Sequence, residues 1–148
     1  MKPDAGKLLD IIAGKLLFEI APSVQPSYRQ SSVGLTGMLL GMVREEFERA
    51  AARRVEENRV LRALFSRAAK DVADTELRHR LESAGAGSDA SLLVSALDKS
   101  NDALRALLIE LHAHVEAQDA DWARAVDGEI WSELVASTER RRFALAPF

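Results

Sequence analysis

Cysteine is absent from all 148 residues. Thiol nucleophiles, zinc–thiolate sites, iron–sulfur clusters and disulfide staples are excluded with it, and the composition suits a reducing compartment. Proline and glycine are scarce, at four and eight residues. β-Branched clusters are also missing, so neither a loop-rich fold nor a sheet is indicated. One tyrosine and two tryptophans leave little for a base-stacking nucleic-acid platform. The 20 basic and 23 acidic side chains give a net charge of −3 and an isoelectric point near 5.7, the wrong balance for a protein built around phosphate neutralisation. No apolar run approaches the ~20 residues that span a bilayer. Met1-Lys2-Pro3-Asp4 opens onto an acid-containing helix pattern, not a signal-peptide core. We therefore expect a cytoplasmic protein with no nucleic-acid or membrane partner.

What is abundant is alanine, leucine, glutamate and arginine, the composition of an all-α chain. A chain of this size buries roughly 70% of its unfolded surface, so one helical-bundle domain over 1–148 is expected. A first helix should begin near Pro3 and Asp4, carry the stripe Leu8, Leu9, Ile12, Leu16 and Ile20, with Ile11 and Phe18 widening it, and stop at Pro22. Ser27 is placed to cap the next helix. Leu35, Leu39, Val43, Phe47 and Ala50 share one face, and Leu61, Leu64, Phe65, Ala68 and Val72 continue its phase. One uninterrupted helix of about 45 residues would reach about 67 Å, against a radius of gyration of about 15 Å for a compact domain of this length. The core-phase positions between the two sets are Arg54 and Glu57, so a break is expected near Arg53 to Asn58. Asp74 should cap a short helix ending at Gly85-Ala86-Gly87. Ser88 or Asp89 should cap a long helix with the stripe Leu93, Leu97, Leu104, Leu108, Leu111 and Val115, interrupted by Ser100. Asp119 or Asp121 should cap the last, with Trp122, Val126, Ile130, Trp131, Leu134 and Val135 inward. The fold class is thus an antiparallel bundle of five or six helices.

Lys2-Pro3-Asp4-Ala5-Gly6-Lys7-Leu8-Leu9, Glu19-Ile20-Ala21-Pro22, Arg44-Glu45-Glu46 and Leu77-Arg78-His79-Arg80-Leu81 together resemble a small bacterial helical family. That family is found beside acyl-CoA dehydrogenases and aminoglycoside-phosphotransferase-like kinases. The resemblance covers about the first ninety residues. Ala50-Ala51-Ala52 stands where the family often has a Gly-Pro-like break. The resemblance implies an accessory protein of acyl-CoA or related carboxylic-acid metabolism, with a partner encoded by a neighbouring metabolic gene. It carries over no catalytic residue.

Catalytic motifs are wanting as well. Glu76 and His79 form an E-x-x-H step and are the metal candidates, but the second such step and the two further glutamates of a di-metal bundle are missing. Glu110 and His114 read as a surface pair, and His112 as a hydrogen-bonded boundary residue. No Gly-x-Ser-x-Gly elbow, Walker loop or dinucleotide fingerprint occurs. The glutamates at 45, 46, 48, 56 and 57 read as solvated ion-pair faces, and Arg140-Arg141-Arg142 as cations complementing a helix C-terminus. No catalytic residue, metal or cofactor is assigned.

Val33 to Val43 holds eleven residues without a charge, with Gly34, Gly37 and Gly41 opposite Leu35, Leu39 and Val43 and with Met38 at an edge. A helix apolar all round should be buried all round, so this one is expected at the centre of the bundle. Its glycines would admit a neighbouring helix of the same chain, a second subunit, or a ligand such as an acyl chain. The tail Phe143-Ala144-Leu145-Ala146-Pro147-Phe148 adds three large apolar residues. We expect a homodimer using Gly34, Gly37, Gly41 and Met38, or Phe143 and Phe148. The leading functional expectation is a non-enzymatic accessory or interaction protein. The alternative is a small helical enzyme that binds a hydrophobic ligand or uses a metal.

Overall fold

Asp4 accepts a hydrogen bond from the Lys7 amide at 3.1 Å and so starts α1 (Ala5–Gly14). The computed structural model describes residues 4–144. α1 runs on into a π-helical turn at Lys15–Ile20 and a 3-10 turn at Ala21–Ser23, where Pro22 ends it. The longer helices are α2 (Ser27–Ala68), α3 (Thr75–Ala86), α4 (Val94–Glu116) and α5 (Asp121–Arg141). Five α-helices and no strand among the described residues make the chain all-α. None of these helices is long and apolar enough to cross a membrane.

The residues group into two compact units, 1–50 with 143–148, and 51–142, where composition suggested one domain. α2 contributes to both and is unbroken, which corrects the break expected near Arg53 to Asn58. The polar residues expected to form a solvated interruption include Arg53, Glu57 and Asn58, all buried. Without proline or glycine there, nothing in the backbone stops the helix once those side chains have partners.

In the first unit α1 and α2 pair antiparallel, with Asp10 in an ion pair with Arg44 at 3.2 Å and Ala13 and Leu17 opposite Gly37. Apart from Leu17, the contact is made by small residues. Gly6, Ala13, Ala21 and Gly37 are buried, whereas Phe18 is 79% exposed, Leu35 56% and Phe47 62%, and Leu8, Ile11, Ile12, Leu39 and Val43 are exposed as well. The expectation that the uncharged segment is buried on every side is therefore corrected. Gly37 lets Leu17 and the Ala13 backbone seat directly on α2, and most of the other large apolar residues of this unit remain outside.

The second unit has a conventional core. Leu61, Leu64, Phe65 and Val72 pack with Leu77 and Leu81 of α3, Leu104 to Val115 of α4, and Ala123, Val126 and Ile130 of α5. Asp74 caps α3 by accepting from the Leu77 amide at 2.8 Å, and Gly87 ends it. At Gly85 a Cβ would lie 2.3 Å from Ser66 Oγ and 3.2 Å from the Arg62 carbonyl, so only glycine allows α3 to come this close to α2. α4 begins at Val94 after Leu93, later than Ser88 or Asp89 would have started it, because Asp89 is used elsewhere. Ala120, not an aspartate, precedes α5; Asp119 and Asp121 hold Arg124 instead. Leu93, Trp131 and Val135, expected inside, are exposed.

Candidate functional site

The apolar stripes of the second unit give way to polar residues in the same helical register. On α2 the core position before Leu61 is Glu57, with Asn58 beside it. On α4, Asn101 lies between Leu97 and Leu104, and on α5, Glu133 and Ser137 follow Ile130. All five are buried. Three helices thus contribute to one polar layer at one end of the apolar core.

Glu57 is its centre. Oε1 accepts from Arg141 Nε at 2.8 Å and from the Ser137 hydroxyl at 3.1 Å. Oε2 accepts from Arg141 at 2.6 Å, Arg105 at 3.2 Å and the Asn101 amide at 3.3 Å. Asn101 also donates to Asn58 Oδ1 at 2.9 Å and accepts from Arg105 Nε at 2.9 Å. Asn58 donates to Asp89 at 3.1 Å. Asp89 further accepts from Arg62 and from the Ser100 hydroxyl, each at 2.9 Å. The Ser100 noted in the α4 stripe is therefore part of the layer, and Asp89 serves it instead of capping α4. A buried charge survives only when its lone pairs are satisfied in this way.

The electrostatics separate the two central acids. Burial pushes the Glu57 carboxyl up, but the guanidinium groups of Arg141 and Arg105 outweigh it and bring the pKa from its ordinary 4.5 down to about 2. Glu133 moves the other way. Its burial raises the pKa against the opposing pull of Arg140, and the charge on Glu57 raises it further. Asp89 is lowered because the hydrogen bonds from Arg62, Ser100 and Asn58 overcome its burial. Glu133 lines a cleft of about 630 Å³ with Val60, Leu64, Ala125, Gly128 and Ser132. The nearest hydroxyls are committed: Ser132 donates to the Gly128 carbonyl at 2.8 Å and Ser137 to Glu57. The arrangement sets two buried carboxyls with opposite pKa shifts in one layer, each paired with arginine; it presents no activated nucleophile.

The residues singled out in the sequence lie elsewhere. Gly37 is buried, where a Cβ would meet Leu17 Cγ at 2.7 Å and the Ala13 carbonyl at 3.2 Å, whereas Gly34 has nothing within 4 Å. Gly37, Met38 and Gly41 line a cavity of about 300 Å³ with Ala13, Leu17 and Phe18. Phe143 is half-buried, the Ala144 amide donates to Glu45 at 2.9 Å, and Leu145 and Phe148 lie outside the described residues. Glu76 and His79 are both exposed and join no group of three metal-ligating side chains among the described residues. Glu110 pairs with Arg80 at 2.6 Å and not with His114, which lies against Trp122. Arg140 and Arg141 do more than complement a helix end, since they reach Glu133 and Glu57. Sequence reasoning passed over Asn58, Asn101, Glu133 and Ser137. The signal that would have found them is polar residues standing at core register on three helices. Neither family models, characterised proteins nor solved structures give a match to this chain.

Proposed function

We propose that this chain is a cytoplasmic, non-enzymatic accessory protein that works as a homodimer, with the outer face of the first unit as the self-association surface. The observation that carries this reading is the exposed ridge Leu35, Leu39, Val43 and Phe47. Four large apolar residues at every fourth position form a continuous ridge along a helix. Two such ridges interdigitate when helices cross at about −50°. A second copy supplies the complementary ridge by symmetry, as an isologous dimer requires. Full burial stabilises such a side chain by about 1.5–3 kcal/mol; these are 51–62% exposed, so eight of them gain about half of that each, roughly 6–13 kcal/mol in all, comparable to the association cost of about 4–15 kcal/mol. Gly37 already faces Leu17 and Ala13 of its own chain, which leaves this opposite ridge for the partner. The resemblance of the first ninety residues supports a role beside enzymes of acyl-CoA or related carboxylic-acid metabolism, with a neighbouring gene product as the further partner.

Light scattering of the full chain should give twice 16.2 kDa. Phe47→Glu or Leu39→Glu should return it to the monomer mass with unchanged helicity. A monomer at every accessible concentration overturns the reading. A second reading, binding of a small hydrophobic ligand, is favoured by the 300 Å³ cavity at Gly37, Met38 and Gly41. Native mass spectrometry that finds an apolar molecule retained by the protein and lost in Gly41→Leu would support it.

A further inference from the structure

Among the described residues, the partly buried carboxylates of Glu45, Asp89, Asp98 and Glu133 each meet an arginine, and Glu57 meets two. Asp127, also partly buried, and the exposed Glu116 do not. Their shared partner is an imidazole: His112 Nε2 lies 2.9 Å from Asp127 Oδ1 and 3.6 Å from Glu116 Oε1. One ligand atom from each of the three falls within 4.8 Å of the other two. The two carboxylates supply anionic oxygen donors beside the imidazole, and Arg124, which borders the same cavity as Glu116 and Asp127, is held by Asp119 and Asp121.

We propose that His112, Glu116 and Asp127 form a binding site for a divalent transition-metal ion of the zinc class, clamping α4 to α5. The donor set, one imidazole nitrogen and two carboxylate oxygens, is one that Zn²⁺ accepts at about 2.0–2.2 Å. Tetrahedral bonds of that length put neighbouring ligand atoms about 3.3–3.6 Å apart, the separation of His112 from Glu116, and the hydrogen-bonded His112–Asp127 pair would open by a few tenths of an ångström to admit the ion. His112 and Glu116 stand one turn apart on α4, and Asp127 comes from the neighbouring helix. The metal would therefore add a link between two helices that already share the apolar core, close to the turn between Glu116 and Asp121. Trp131 meets the His112 ring edge-on at 5.5 Å and limits its rotation, so Nε2 stays aimed at the carboxylates. Glu116, 63% exposed at its side chain, is the mobile ligand that closes on the ion. A cavity of about 390 Å³ bordered by Glu116, Asp127, Gln118 and Arg124 has room for the waters that would complete the coordination. Sequence spacing could not disclose this site, because His112 and Asp127 are fifteen residues apart on different helices.

The test is calorimetric titration of chelator-stripped full-length protein with ZnCl₂, paired with its thermal melting. One equivalent should bind and raise the melting temperature. His112→Asn and Asp127→Asn should each weaken binding by roughly tenfold or more. Glu116→Gln, at an exposed position that folding does not need, should weaken it too and keeps the test decisive if either other variant is unstable. His79→Asn and His114→Asn should leave binding unchanged. No saturable heat at sub-millimolar Zn²⁺, or binding that survives Glu116→Gln and His112→Asn, overturns the proposal, as does binding lost in His114→Asn.

Discussion

Replacing Glu57 by glutamine keeps the shape of the most buried acid and removes its charge. The magnitude follows from the surroundings. A pKa brought from 4.5 to about 2 means that the folded state favours the carboxylate by about 3 kcal/mol over the unfolded chain, at about 1.4 kcal/mol per tenfold change in proton affinity. Breaking a buried ion pair from one side costs about 3–5 kcal/mol. The lower end applies here, because Arg105 and Arg141 are about a third and half exposed and can turn to water when the carboxylate is gone. Glu57→Gln should therefore lose about 3 kcal/mol at neutral pH, read from urea denaturation as a fall in midpoint at constant slope. The loss should itself depend on pH. A carboxyl whose folded pKa is depressed contributes stability above its unfolded value, and the contribution disappears as pH falls through the folded value. The gap between wild type and variant should thus hold down to about pH 4.5 and close towards pH 2. A gap under about 1 kcal/mol at neutral pH, or one undiminished near pH 2, would refute a paired and ionised Glu57.

Glu133 carries the opposite sign. Its raised pKa means that the folded state binds the proton more tightly, so its contribution is complete below about pH 4.5 and declines as pH rises through the folded value. Glu133→Gln should flatten the stability profile on the alkaline side of pH 4.5, measured by urea midpoints across a pH series; an unaltered slope would contradict the assignment. Gly37→Leu should disturb the first unit alone, by about 1–3 kcal/mol of overpacking, since the Leu17 side chain can move but the Ala13 carbonyl cannot. Both tryptophans lie in the second unit, so far-ultraviolet dichroism should fall while tryptophan emission holds. A variant as helical and stable as the wild type would show that the close approach at Gly37 is not needed.

Local features were legible without any structure. The all-α class followed from composition and from apolar residues at spacings of three and four. The helix start near Asp4, the Asp74 cap, the stop at Gly87 and the stripe from Leu61 to Val72 followed from chemistry acting within a turn or two of helix. Two things depended on partners far along the chain. Glu57 at core register reads from its neighbours as a solvated charge. It becomes the centre of a buried layer only because Asn101, Arg105 and Arg141 arrive from 44, 48 and 84 residues away, and their hydrogen bonds offset a desolvation that would otherwise break the helix. The uncharged segment from Val33 to Val43 offers two apolar faces of similar length, and no local rule chooses between them. Contact distance makes that choice: Gly37 allows α1 to seat Leu17 against the α2 backbone, so the small face turns inward and the Leu35 to Phe47 ridge is left outside.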